Sequence, residues 1–102
     1  MHSIQWTQPW YSFTRAAITH EASRGPGVYA LAIPRGEWLL VEEAVDVQLA
    51  LLELIDEPPS ETRAVREIVF STEPLGGAER LARRRQLIAE LKPRWSNAAD
   101  PD

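Results

Sequence analysis

The sequence predicts one small α/β domain of the α+β kind, a three-stranded antiparallel sheet flanked by helices. Three observations carry that expectation. The chain has 102 residues, 44% of them hydrophobic and 25% charged, which are values of an ordinary globular domain with a single core. Short apolar runs bounded by Gly and Pro, at 28–33, 38–41 and 65–70, have the length and residue types of strands. Around them lie stretches with helical spacing and cap residues, giving the order helix, strand, strand, helix, strand, helix.

The first dozen residues place Trp6, Trp10, Tyr11 and Phe13 around Pro9, too irregular for a helix and too aromatic for a loose tail, so they are expected to fold back over the core. Ser12 is a suitable N-cap for a short helix reaching Ala22, and Arg24-Gly25-Pro26-Gly27 ends it. Val28 to Ile33 reads as a buried strand, Pro34 to Glu37 as a turn and Trp38 to Val41 as its hairpin partner. Asp46 caps a helix from Val47 to Ile55 in which only Gln48 and Glu53 are polar. Such a helix is expected to be covered on more than one face. Pro58-Pro59-Ser60 breaks the chain before a third strand at Val65 to Phe70, and Pro74 to Gly77 forms the next loop.

The last helix is expected from Ala78 to Leu91, stopping before Pro93, with Leu81, Leu87, Ile88 and Leu91 as its buried stripe. At 100° per residue Arg84 projects on that same side, while Arg83 and Arg85 point away. The segments assemble as one domain over 1–102. An aromatic portion with a short helix occupies 1–24, the core 25–97 and a polar tail 98–102.

Charge is segregated beneath a net value of −4. Residues 37–61 hold eight carboxylates and no Lys or Arg, whereas residues 76–97 hold six cations against two carboxylates. The basic helix could pair internally or face an acidic partner. No Cys is present and the only imidazoles are His2 and His20, so disulfides, thiolate metal sites and a zinc centre are not expected. No apolar run approaches the ~18 residues that span a bilayer, and the first residues lack a basic-then-apolar pattern. These features predict a cytoplasmic protein without membrane contact. His20-Glu21 reads as a surface imidazole beside a carboxylate, and Asp56-Glu57-Pro58-Pro59 as an acidic turn without the oxygen spacing of a calcium loop. Trp6, Trp10 and Tyr11 could stack on bases or pack over the sheet.

The run Gly25-Pro26-Gly27-Val28-Tyr29-Ala30-Leu31, the hairpin, and Leu39-Leu40-Val41-Glu42-Glu43-Ala44-Val45-Asp46-Val47 resemble the two signature strands and opening helix of GIY-YIG nuclease domains. Leu87-Ile88-Ala89-Glu90-Leu91-Lys92-Pro93-Arg94-Trp95-Ser96-Asn97 looks like that family's closing helix and its Pro-to-Asn ending. In working members, the resemblance implies, tyrosines of the paired strands, an arginine on the first helix and a glutamate on the last hydrolyse a phosphodiester. The glutamate holds a magnesium-type ion, the arginine steadies phosphate charge and a tyrosine helps activate water.

Carried across, Tyr29 keeps the first signature, but the second tyrosine falls on Leu40 and its glycine on Glu42. The arginine falls on Ala50, the glutamate on Arg84 and the ending on Asn97. An arginine at the ligand position repels a hard cation, and alanine offers no clamp for phosphate. The resemblance therefore implies no catalytic residues, no metal and no cofactor. The expected function is an inactive GIY-YIG-like domain acting as a protein-interaction or assembly module, with a protein partner or a homodimer. Two alternatives stay open. One is a divergent metal-dependent endonuclease; the other is a non-cleaving nucleic-acid binder using Arg80, Arg83, Arg85, Lys92 and Arg94. Tyr29 is either a relic base or a core tyrosine. Arg84 either pairs with Glu42 as a structural ion pair or extends its head into solvent.

Overall fold

The described residues, 6–60, 65 and 67–95 of a computed structural model, form seven elements. They run β1 (Tyr11–Ser12), α1 (Arg15–Glu21), β2 (Gly27–Ala32), β3 (Trp38–Ala44), α2 (Val47–Asp56), β4 (Val69–Pro74) and α3 (Gly77–Leu91). The sheet has four strands rather than three, in the order β1-β4-β2-β3, with every neighbouring pair antiparallel. The added strand is the two-residue β1, which pairs Tyr11 with Phe70 and Ser12 with Val69. So short a ladder has no periodicity to detect. Because Ser12 is spent in that strand, the cap of α1 passes to Thr14, whose hydroxyl accepts from the Ala17 amide at 3.1 Å. Asp46 caps α2 by accepting from the Leu49 amide at 3.0 Å.

β2 is central, and all six of its residues are buried, which is why its run is continuously apolar. Its alternate side chains sort the core into two clusters. Tyr29 and Leu31 face Ile18 of α1, Val47 and Leu51 of α2, and Phe70. Val28 and Ala30 face Val41 with Leu87 and Ile88 of α3. Helices α1 and α2 thus cover one face and α3 the other. Gly27 lets the layers close, since a Cβ there would stand 2.6 Å from the Glu73 carbonyl oxygen and 3.2 Å from Val47 Cγ2.

The fourth strand starts at Val69 and runs to Pro74, four residues later than the sequence suggests. Val65 packs on the core from outside any strand. Ile68 accepts from the Phe13 amide at 3.0 Å, which anchors the entry to β4. The outer edge of β3 is partly closed where the amides of Arg94 and Trp95 donate to the carbonyls of Trp38 and Leu39. The aromatic segment does fold over the sheet. Trp6 Nε1 donates to buried Ser71 Oγ at 2.9 Å, which itself donates to the Pro9 carbonyl at 2.7 Å. The Trp6 and Trp10 rings meet Trp38 edge-on at 5.5 and 5.2 Å.

One burial expectation is corrected. Leu81 is exposed, so the buried stripe of α3 is Leu87 and Ile88 with Leu91 beside them. The cover expected for α2 on more than one face is present, with Val47 and Leu51 buried and Ala50, Leu52, Leu54 and Ile55 packed against the core, while Leu49 stands 53% exposed on its outer side. Among the described residues, no helix is long and apolar enough to cross a membrane.

Candidate functional site

Cross-strand register builds the site from the start of β2. Tyr29 lies opposite Glu42 of β3 and Thr72 of β4, and Val28 lies opposite Glu43 and Glu73. Three carboxylates therefore gather at one end of the sheet. Helix α3 presents Arg80, Arg83 and Arg84 to them, a spacing of i, i+3 and i+4 that keeps the three on adjoining positions of one helix side.

Each guanidinium meets its own carboxylate. Arg84 Nε donates to Glu42 Oε1 at 3.0 Å and Nη2 to Oε2 at 3.4 Å, a two-point contact with the Arg84 side chain 13% exposed. Arg83 Nε donates to Glu73 Oε1 at 2.8 Å, and Nη1 to Gln86 Oε1 at 2.9 Å. Arg80 Nε lies 2.7 Å from Glu43 Oε1 but out of line for a hydrogen bond, so that contact is an ion pair without a directed N–H. Arg83 does not point away as helical projection suggests. It is held back by Glu73 and lies over the Trp6 ring at 5.7 Å. Arg85 and Lys92 are exposed, and Lys92 ends α3 in a left-handed conformation at φ 47°. Arg94 pairs with Glu37 at 2.7 Å in a mostly solvated contact.

The other family positions are dispersed in role. Tyr29 is buried in the core, its hydroxyl held well above the usual tyrosine range by burial and then by the carboxylates of Glu42, Glu43 and Glu53, with Arg84 opposing. Its proton is thus held more tightly than that of a free phenol. Leu40 is a core residue, and Ala50 is half-buried against the same cluster. Asn97 lies outside the described residues. His20 is exposed at the end of α1.

Glu43 and Glu73 are members of the constellation that residue-by-residue comparison with the family does not pick out. Their signal is the matched pattern of carboxylates at the ends of β3 and β4 and arginines on the first turns of α3. The donor set does not fit a hard divalent cation. Such an ion takes several carboxylate or carbonyl oxygens, yet Glu42, Glu43 and Glu73 each already face a guanidinium. The described residues contain no group of three or more His, Cys, Asp or Glu placed to hold a metal.

No protein-family model matches the sequence, and no curated protein matches it. The fold does have a counterpart among solved structures. It is similar to the crystal structure of the GIY-YIG N-terminal endonuclease domain of UvrC from Thermotoga maritima, a point mutant bound to its catalytic divalent cation. The TM-score is 0.66 at 17% identity, over 81% of this chain and 93% of that one. In fold, then, the chain is a GIY-YIG-like domain.

Proposed function

We propose that this chain is a catalytically inactive GIY-YIG-like domain that serves as a protein-interaction or assembly module. The observation that carries this reading is the Arg84 guanidinium seated on Glu42. Where the resemblance calls for a carboxylate that binds metal, the chain has a cation, and its charge is already matched. Ala50 offers phosphate no donor. Arg80, Arg83 and Arg84 are engaged with sheet carboxylates, which leaves few cations on α3 for a nucleic-acid backbone.

The test is incubation of the purified chain with single-stranded and duplex DNA and RNA in magnesium or manganese. No cleavage above a buffer control is expected, together with weak binding that vanishes at moderate salt. Metal-dependent cleavage abolished by Tyr29→Phe would overturn the reading in favour of a divergent nuclease. Tight, steeply salt-dependent binding without cleavage would instead select a nucleic-acid binder.

A further inference from the structure

Helices α2 and α3 carry outward faces that complement each other, and the fold points them in opposite directions. On α2, Leu49 is 53% exposed, and Val45, just before the helix, is 72% exposed. Glu53 and Glu57 continue that exposed side toward the helix C-terminus, and no basic residue occupies the last turn. Carboxylates at the negative end of a helix are electrostatically unfavourable within the chain. Asp56 there is already paired with Arg15, whereas Glu53 and Glu57 have no ion-pair partner among the described residues, and a cation supplied from outside would relieve them. The apolar pair and the carboxylates together make a face that is short of a partner on two physical grounds.

On α3, Ala78, Leu81, Ala82, Arg85 and Ala89 are all exposed, and helical geometry puts them within an arc of about 100°, with Lys92 exposed just past the helix end. Leu81 is 44% exposed. The alanines let a second helix approach closely, because interaxial distance follows side-chain size at the contact. Arg85 and Lys92 have no ion-pair partner among the described residues, unlike Arg80, Arg83 and Arg84. The helix thus turns three arginines inward and keeps two cations on an outer apolar stripe.

We propose that the occupant of the α2 face is a second copy of this chain, docked through the outer stripe of its α3. Leu49 and Val45 would meet Leu81 and the alanines, and Glu53 and Glu57 would meet Arg85 and Lys92. This deepens the module reading and rests on it. Because α2 and α3 cover opposite faces of the sheet, the contact is head-to-tail and does not close into a two-fold dimer; it joins more than two subunits, as an open series or a larger ring. The ten residues of α2 span only about 15 Å, which puts the interface in the small, reversible class below ~1,200 Å².

Sedimentation velocity and equilibrium on the full chain, up to about 1 mM because the contact is weak, test the proposal. The average mass is expected to rise continuously past that of a dimer. Glu53→Arg and Arg85→Glu should each raise the concentration of half-association about tenfold, through like-charge juxtaposition. Mixing the two variants, or combining both changes in one chain, should restore wild-type association. That restoration also shows both variants to be folded. A wild-type chain that stays monomeric throughout, or single variants that associate as well as wild type, overturns the proposal and leaves any partner to be a different protein. The cleavage assay is independent of these masses. A monomeric chain without nuclease activity removes the second copy while the non-catalytic reading stands, and a cleaving chain removes that reading whatever its mass.

Discussion

Removing either partner of the Glu42–Arg84 contact measures how much that ion pair contributes to holding α3 on the sheet. With nitrogen and oxygen 3.0 Å apart, the charge centres lie ~4 Å apart, and an effective dielectric of about 20 gives ~4 kcal/mol of gross attraction. Desolvation and side-chain ordering offset most of this. Exposed pairs retain about 0–1 kcal/mol, whereas breaking a buried pair costs about 3–5 kcal/mol. Arg84 is 13% and Glu42 32% exposed, so the pair falls between these limits. Arg84→Leu is expected to lose about 2 kcal/mol and Glu42→Gln about 1–2 kcal/mol, with a coupling near 1–1.5 kcal/mol in the double-mutant cycle. Urea unfolding followed by tryptophan fluorescence at neutral pH, for wild type, both single variants and the double, reads these values at constant m. A coupling below about 0.3 kcal/mol would refute the reasoning. It would mean that the guanidinium lies beside Glu42 with its energy supplied by water.

Two further outcomes follow from the same core. Tyr29 is raised above its ordinary value by burial and by Glu42, Glu43 and Glu53, so above the unfolded pKa near ~10 the native state holds more protons than the unfolded one. Stability is then complete below that pH and declines as pH rises through the window above it. Tyr29→Phe should flatten the alkaline decline, read by denaturant unfolding in steps of pH. The only other tyrosine is Tyr11, raised by desolvation and then by Glu21, so Tyr11→Phe isolates the Tyr29 absorbance change. An early phenolate signal at the ordinary pH in that variant would contradict the buried placement. Gly27→Ala puts a methyl 2.6 Å from the Glu73 carbonyl oxygen, and the loss should be about 2–3 kcal/mol by overpacking. A shift in Tm of under a degree would show that β4 can move away from β2.

Much of the architecture was legible because it obeys simple periodicities. The all-buried β2 appears as Val28 to Ile33, and Asp46 announces α2 before a single apolar turn is read. Misses cluster where tertiary contact decides. Ser12 is as good a cap as Thr14 until Tyr11 and Ser12 pair with β4, and the run at 65–70 has strand composition on both sides of the true start at Val69. Helical projection put Arg83 outside because it counts angles from the axis, while a long guanidinium stem can bend to Glu73. Glu42 and Arg84 could be paired from the motif and Arg80 seen only as one cation of a basic helix, but Glu43 and Glu73 could not be placed. Their roles depend on which carboxylates the register brings to one end of the sheet.

That register also explains why the arginines of α3 differ from an ordinary basic face. The buried apolar residues of this helix, Leu87 and Ile88, lie in its second half. Its first turns have none, and what ties them to the sheet is Arg80 on Glu43, Arg83 on Glu73 and Arg84 on Glu42. The guanidinium stems supply apolar contact, and the heads supply ion pairs that are largely out of water. A phosphate backbone reaching for these groups would have to take them from carboxylates and leave those carboxylates partly buried and unpaired, a loss that nucleic acid must offset before gaining anything. The pairs on Glu42, Glu43 and Glu73 thus fasten the first turns of α3 to the sheet, leaving Arg85 and Lys92 on its outer side as the charges available to a partner.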